Sequence, residues 1–146
     1  MFRKKINIKY HENITPLKQV DGGDWIDLRT AEFKKIEPFS VAKISLGVSM
    51  KLPKNHEAHI LPRSSTFKHF SILQTNGMGI IDESYCGDDD VWFVEVFNPT
   101  PKEIYVPFDA RICQFRIVKK MPKLKLNIVR FLASKNRGGH GSSGIF

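Results

Sequence analysis

An acidic, glycine-rich stretch from Gly77 to Asp90 carries residue types suited to acid–base chemistry. In a chain of 146 residues with a formal net charge of +8, this stretch holds five carboxylates: Asp82, Glu83, Asp88, Asp89 and Asp90. Asp82 follows the apolar pair Ile80–Ile81, and the glycines before it allow a tight hairpin. A carboxylate at the end of a buried strand in a basic protein can act as a general base. The alternative is an acidic turn that keeps a loop soluble.

Other clusters could bind an anion or a water molecule. Leu61–Ser65 combines a guanidinium with two hydroxyls, which suits phosphate oxygens, although a polar turn has the same composition. Gln114 lies in a strand-like run, where its amide could hold a water or simply face solvent. Asp27 lies between apolar residues, which is typical of a hydrogen-bonded structural carboxylate. The end of the chain, residues 133–146, contains Arg137 and many glycines and serines, so it is either a disordered end or a lid whose amides close on phosphates.

The elements that must position these clusters are predicted to be strands. Apolar and polar residues alternate in runs at 6–10, 46–50, 112–117 and 124–128. The β-branched and aromatic run 91–97 fits a buried strand, and turn-forming residues separate the runs. A helical turn or two is predicted only at 64–70. The pattern therefore predicts one all-β domain, a sandwich or barrel of short strands.

Composition limits the class of protein. The chain is 41% hydrophobic and 26% charged, as in soluble globular proteins, and we find no apolar run of signal-peptide or membrane-span length. Cys86 and Cys113 show no metal-ligand or redox spacing, so we expect reduced thiols in a cytoplasmic protein. The excess of positive charge predicts an anionic partner, either nucleic acid or a small polyphosphate.

In chain order, these clusters resemble the five motifs of the trimeric dUTP pyrophosphatase (dUTPase) family, and the likeness points to a bacterial or phage member. The matching stretches are Asp27–Leu28, Pro62–Ser65, Gly79–Asp82 with Tyr85 and Gly87, Arg111–Gln114, and Arg137–Gly144. The third motif and the glycine–serine tail make the resemblance specific. It departs at Asp24–Trp25, where the family usually has Ala-Gly, and at Asp88, where glutamate is commoner. Arg137 also lies two residues closer to the aromatic position of the tail than in the commonest form.

The resemblance implies a jelly-roll-like β-barrel that forms a homotrimer with shared active sites. Residues 1–132 would form the barrel, and 133–146 a flexible lid. The implied reaction is hydrolysis of dUTP to dUMP and pyrophosphate, with Mg²⁺ bridging the phosphate oxygens. Asp82 would activate the attacking water, with Gln114 and Ser64 as the other catalytic residues, and Asp27 would touch the water shell of the Mg²⁺.

The substrate-binding residues implied by the resemblance cover the base, the sugar and the phosphates. They are Arg63, Ser64, Ser65, Asn76, Gly79, Ile80, Ile81, Asp82, Tyr85, Gln114, Arg137, His140, Gly141 and Ser142. Tyr85 would lie under the deoxyribose, where it would exclude a 2′-hydroxyl. His140 stands where the family usually has phenylalanine, and it would stack on uracil. Phe93 or Trp92 is the alternative cover for the base.

Three other functions fit parts of the sequence. A dCTP deaminase-like enzyme would share a related fold, but the tail motif favours a dUTPase. A nucleotide-sensing regulatory protein could use the same trimer, although an intact Asp82 favours retained catalysis. A nucleic-acid-binding β-barrel would explain the positive charge but not the acidic hairpin. We therefore expect dUTP as the partner, no nucleic acid and no membrane, and leave a regulatory protein partner open.

Overall fold

A computed structural model describes residues 3–19 and 21–146. In this part of the chain, short strands and one five-residue helix, α1 (Thr66–Phe70), account for the regular structure. The strands are β1 (Asn7–Tyr10), β2 (Ile26–Arg29), β3 (Lys34–Ile36), β4 (Val41–Ser45), β5 (Val48–Lys51), β6 (His56–Pro62), β7 (Leu73–Gln74), β8 (Gly79–Ile81), β9 (Phe93–Phe97), β10 (Ile104–Val106) and β11 (Arg111–Lys119). The prediction of an all-β fold is confirmed, and so is the short helical segment predicted at 64–70.

The strands form small antiparallel sheets that pack around one core. The largest has the order β2–β11–β6–β8, and a second has the order β4–β9–β7. The pairs β1–β5 and β3–β10 complete the described sheets. Because non-consecutive strands are neighbours throughout, residues far apart in sequence meet at the sheet edges. This topology brings the acidic hairpin, carried by β8, beside the middle of the chain, carried by β6.

Alternation along β9 shows how the sequence selects which side chains enter the core. Val94 and Val96 are buried, whereas Phe93 and Glu95 are exposed, as the two-residue period of a strand requires. Trp92, just before the strand, is fully buried and meets the ring of Phe115 edge-on, with the centroids 5.2 Å apart. Trp92 is therefore a core residue, whereas the adjacent Phe93 is 43% exposed.

The chain after β11 does not return to these sheets. Residues 121–146 are exposed throughout, and the strand predicted at 124–128 is absent. Leu126 and Ile128 are 87% and 97% exposed, so their alternation with polar residues finds no partner strand within the described chain. Among the residues described, no helix has the length and apolarity needed to cross a membrane.

Candidate active site

A cavity of about 450 Å³ lies between β8, β9 and the loops that follow β7 and β8. Six of the predicted substrate-binding residues line it: Asn76, Gly79, Ile80, Ile81, Asp82 and Tyr85. Its volume is in the range that small-molecule sites occupy. The structure therefore brings together the residues predicted to contact the base and the sugar, and it places Asp82 in the same wall.

Segment 76–81, called the hairpin below, leads into Asp82, and its strand β8 lies tightly against β6. The preceding strand β7 pairs with β9 instead of β8, so the segment is a loop between two sheets and not the tight two-stranded hairpin that the glycines predicted. Gly79 pairs with Ile60, and a Cβ at Gly79 would stand 3.3 Å from the Ile60 Cβ. A larger residue would push the hairpin away from β6, since that distance is shorter than an ordinary van der Waals contact. The backbone N–H of Thr75 donates to the carbonyl of Glu95 at 3.0 Å. These two contacts anchor segment 76–81 at both of its ends, beside the cavity.

Asp82 is exposed and stands at the start of a turn. Its carbonyl accepts from the N–H of Tyr85 at 3.0 Å. The Tyr85 hydroxyl donates to the carbonyl of Val91 at 3.1 Å, which fixes the ring within the cavity wall. Among the described residues, no ion pair or side-chain hydrogen bond engages the Asp82 carboxylate. Both of its oxygens are therefore open to a bound molecule.

The acids that follow Asp82 have different roles. Glu83 accepts from the Lys120 ammonium at 2.6 Å. That bond and a hydrogen bond from the Asn55 backbone hold the pKa of Glu83 below its usual value. Asp90 accepts from the Gly87 N–H at 2.8 Å and closes a turn. A Cβ at Gly87 would lie 2.8 Å from an Asp90 carboxylate oxygen, so a larger residue there would displace that carboxylate. Asp82 is the acid of this group that lines the cavity without such a structural bond.

A second group, here called the arginine cluster, consists of Asp27, Arg63, Ser64, Ser65, Arg111 and Gln114. Arg63 Nε lies 3.1 Å from one Asp27 oxygen, and Arg111 Nη1 lies 3.5 Å from the other. Gln114 donates from Nε2 to the carbonyl of Pro62 at 3.1 Å. Arg111 is an addition to the predicted site residues, since the sequence placed it in a motif but gave it no contact.

The turn that carries Ser64 and Ser65 is fixed from beneath by Thr66. The hydroxyl of this buried threonine accepts from the N–H of Arg63 at 2.8 Å and donates to the carbonyl of Ile112 at 2.9 Å. It therefore ties the turn to β11. Neither serine hydroxyl takes part in a hydrogen bond within the described residues, and Ser65 does not cap α1. Both hydroxyls remain available to an anion.

The structure does not bring the arginine cluster to Asp82 within one chain. Gln114 pairs with Leu61 on one side of β6, and Ile81 pairs with Ala58 on the other side. Gln114 and Asp82 are therefore two strands apart and at least three residues apart along β6. With ~3.3 Å per residue and ~4.8 Å between strands, their Cα atoms are at least about 14 Å apart. The two side chains cannot contact the same water molecule across that distance. The predicted catalytic residues thus fall into two groups.

The tail forms a third group, which is separate from the cavity. Arg137, His140, Gly141 and Ser142 are all exposed. The N–H of Ser142 donates to the carbonyl of Gly139 at 2.7 Å, so the tail turns on itself. Gly138 and Gly141 have φ values of 84° and 85°, a region that favours glycine. These turns expose backbone N–H groups of the kind that bind phosphate oxygens.

Phe93 and Gln74 complete the cavity wall. Phe93 is 43% exposed, and the Lys43 ammonium lies 3.7 Å from the centroid of its ring. Both aromatic alternatives to His140 line the cavity, but Trp92 is fully buried and Phe93 is the exposed one. Gln74 was not identified as a site residue from the sequence; the one signal for it is that this polar residue of β7 follows the apolar pair Ile72–Leu73.

The described residues contain no group of three or more His, Cys, Asp or Glu side chains placed to hold a metal ion. Asp27, the predicted contact to Mg²⁺, already faces two guanidiniums. A carboxylate has about four acceptor positions, so it can still accept a hydrogen bond from metal-bound water. The donor set therefore fits a Mg²⁺ that is held mainly by phosphates and water, and it does not fit an all-protein cage.

The two cysteines have no part in these groups. Both are free; Cys86 is exposed and Cys113 is buried. Burial, with a smaller effect of the nearby Asp27 charge, raises the pKa of the Cys113 thiol. Cys113 therefore stays protonated and packs as a small apolar group.

The amino-acid sequence is similar to that of known proteins over nearly its whole length. A family profile described as dUTPase matches residues 12–144. The SPbeta prophage-derived deoxyuridine 5'-triphosphate nucleotidohydrolase YosS of Bacillus subtilis is 48% identical over 141 residues, which are 96% of this chain and 98% of that protein. The deoxyuridine 5'-triphosphate nucleotidohydrolase of Alkaliphilus metalliredigens is 34% identical over 144 residues, which are 96% of this chain and 97% of that protein.

Solved structures show the same fold. A mutant dUTPase of Staphylococcus bacteriophage 80alpha with dUpNHpp superimposes with a TM-score of 0.81 at 17% identity, over 97% of this chain and 99% of that chain. The dUTPase from Streptococcus mutans has a TM-score of 0.73 at 17% identity, over 81% of this chain and 98% of that chain. The sequence match spans the acidic hairpin, the arginine cluster and the tail alike, and this chain belongs to the dUTPase family.

Proposed function

We propose that this protein hydrolyses dUTP to dUMP and pyrophosphate, with Asp82 as the general base. The observation that carries the proposal is the position of Asp82, an unpaired carboxylate in the wall of a nucleoside-sized cavity. The 48% identical relative from Bacillus subtilis is named for this activity. Asp82 would take a proton from a water molecule as that water attacks the α-phosphate, and pyrophosphate would leave.

The hairpin 76–81 reads the base. Uracil presents a donor at N3 and an acceptor at O4, whereas cytosine reverses both. The Gly79–Ile60 and Thr75–Glu95 contacts anchor the two ends of this segment, so it cannot move as a whole to suit cytosine. A mismatched base would leave buried polar groups unpaired, which is costly. Tyr85, fixed by its bond to Val91, would contact the deoxyribose and leave no room for a 2′-hydroxyl.

The arginine cluster binds the phosphate chain. Arg63 uses Nε on Asp27 and Nη1 on the Arg111 carbonyl, and its remaining N–H groups can donate to phosphate oxygens. The hydroxyls of Ser64 and Ser65 add neutral donors beside it. Gln114 would help to hold the water and the phosphate oxygens.

Mg²⁺ is the cofactor that we propose. Bound to the triphosphate, it would supply positive charge that stabilises the leaving pyrophosphate. Asp27 would accept a hydrogen bond from the water shell of the ion, while it keeps the guanidinium of Arg63 in place. Since phosphates and water would provide most of the ligands, the protein needs no cluster of acids.

We further propose a homotrimer in which each active site draws on more than one chain. The separation of Asp82 from Gln114 by at least about 14 Å supports this, because one chain cannot assemble both around one water. The exposed apolar residues of segment 121–132 also support it, since a second copy could cover them. Residues 133–146 would then form a lid in which Arg137, Gly141 and Ser142 bind phosphate and His140 covers uracil. With both cysteines free, we place the protein in the cytoplasm.

Pyrophosphate release measured with dUTP, dCTP, dTTP and UTP, with and without Mg²⁺, tests the reaction. Of the four nucleotides, we expect only dUTP to release pyrophosphate, and we expect EDTA to abolish that release. Equal release with dCTP and dUTP, or deamination of dCTP, would show that the assignment is wrong.

Mixing two inactive variants tests the shared site. Asp82→Asn and Gln114→Ala chains, unfolded and refolded together, form mixed trimers. If the two residues of a site come from different chains, random mixing restores about one quarter of the wild-type activity. If each site lies in one chain, no mixture restores activity. The free protein should also have about three times the chain mass of 16.8 kDa.

A further inference from the structure

Gln74 is a polar residue in the wall of the cavity whose amide joins two separate parts of the fold. It pairs with Val96 of β9, so its side chain lies on the same, inner face as that buried valine. Its Nε2 donates to the carbonyl of Ile60 in β6 at 3.1 Å. The same nitrogen donates to the carbonyl of Asn76, at the start of the base-reading hairpin, also at 3.1 Å.

These two bonds fix which end of the amide faces which way. An amide nitrogen has two N–H donors, and here both are used. The reversed rotamer would place the amide oxygen against two carbonyl oxygens, which repel it. The Gln74 amide therefore acts as a brace that holds the carbonyl of Asn76 at a fixed distance from β6.

The Oε1 atom of the same amide is buried without a protein partner. In residues 3–19 and 21–146, buried side-chain polar atoms without a partner are Gln74 Oε1 and Trp92 Nε1. Both belong to residues of the cavity wall. An apolar side chain would avoid the desolvation cost of such an atom. Stability alone therefore does not explain glutamine at this position.

We propose that Gln74 is a positioning residue that sets the selectivity for uracil over cytosine. A carbonyl oxygen has two lone pairs; Gln74 occupies one at Asn76 and leaves the other for the N3–H of uracil. The N3 of cytosine carries a lone pair instead of a proton, so it would face this fixed acceptor without a hydrogen bond. Without the Gln74 hydrogen bond, the peptide between Asn76 and Gly77 can rotate and turn the Gly77 N–H toward the base. That N–H could donate to N3 of cytosine, so cytosine would no longer be disfavoured. This inference rests on the proposed function, since it assumes that the cavity holds the base.

Replacement of Gln74 by leucine tests the proposal, because leucine fills similar space and donates no hydrogen bond. We expect the ratio of kcat/KM for dUTP to that for dCTP to fall at least tenfold. The KM for dUTP should rise more than kcat falls, since the water-activating Asp82 is untouched. Gln74→Glu is the second variant; it keeps the length of the side chain, and its carboxylate offers no donor at neutral pH.

Leu73→Ala is the matched control, since Leu73 lies in the same strand, is 48% exposed and is absent from the cavity wall. It should keep the wild-type selectivity. If Gln74 only supports the fold, its variants will lower the unfolding temperature with an unchanged dUTP-to-dCTP ratio and unchanged KM, and that result overturns the proposal.

Equilibrium binding keeps this test separate from the test of the reaction. The affinities of wild type and variants for dUMP and dCMP are measured by calorimetry, which needs no turnover. Wild-type preference for dUMP that falls tenfold in Gln74→Leu supports the proposal even if no pyrophosphate is released. Preference unchanged in both Gln74 variants overturns the role of Gln74 while it leaves dUTP hydrolysis intact.

Discussion

Replacement of Asp82 by asparagine separates catalysis from binding. The amide keeps the shape of the side chain and removes its ability to accept a proton. A positioned general base contributes ~10²–10⁴-fold to the rate, which is about 2.7–5.4 kcal/mol of activation free energy. Asp82 is exposed and makes no ion pair or side-chain hydrogen bond among the described residues, so the free energy of unfolding should change by less than ~0.5 kcal/mol.

The assay is single-turnover pyrophosphate release, with dUMP affinity and thermal unfolding measured on the same preparation. Asp88→Asn is the matched control because it removes the same charge from an exposed position of the same loop. Asp90 and Glu83 would be poor controls, since both make structural bonds. A rate for Asp82→Asn within threefold of wild type, with the control also unaffected, would remove Asp82 from the mechanism.

Three further predictions concern the sugar, the lid and the base. Tyr85→Ala should narrow the preference for dUTP over UTP and raise the KM for dUTP; unchanged discrimination in the pyrophosphate assay would mean that the sugar is read elsewhere. Removal of residues 133–146 should lower kcat/KM at least tenfold without lowering the unfolding temperature, because these residues are exposed; normal hydrolysis would show that the tail is only an end. His140→Ala and Phe93→Ala should differ in their loss of dUMP affinity measured by calorimetry, and we expect the larger loss at His140; a larger loss at Phe93 would reverse that assignment.

The sequence predicted those parts of the site whose structure depends on residues that are neighbours in the chain. The apolar pair before Asp82 and the two-residue period of β9 are readable because each depends on neighbours in sequence. Asp82 and Tyr85 accordingly line the cavity as expected. The sequence identified the motifs that contain the arginine cluster but not the contacts among its residues. The Asp27–Arg63 ion pair, for example, joins β2 to the turn after β6, which is distant in sequence.

Contacts between distant elements were beyond the reach of the sequence. Alternation shows that Trp92 and Phe93 face opposite sides of a strand, but it does not show which one faces inward. Only the packing of Trp92 against Phe115 settles that question. Gln74 is a similar case, since its two acceptors belong to β6 and to the hairpin.

The strand predicted at 124–128 did not form, and the homotrimer that we propose offers a physical reason. The residues of that segment alternate as they would in a strand with one buried face, yet Leu126 and Ile128 are almost fully exposed. In a monomer these apolar residues would stay exposed to water, and exposed apolar residues favour aggregation. A second copy that covers 121–132 would bury them. On this view, segment 121–132 and the interface between copies form together, so that chains truncated after Lys120 should lose both the trimer and the activity.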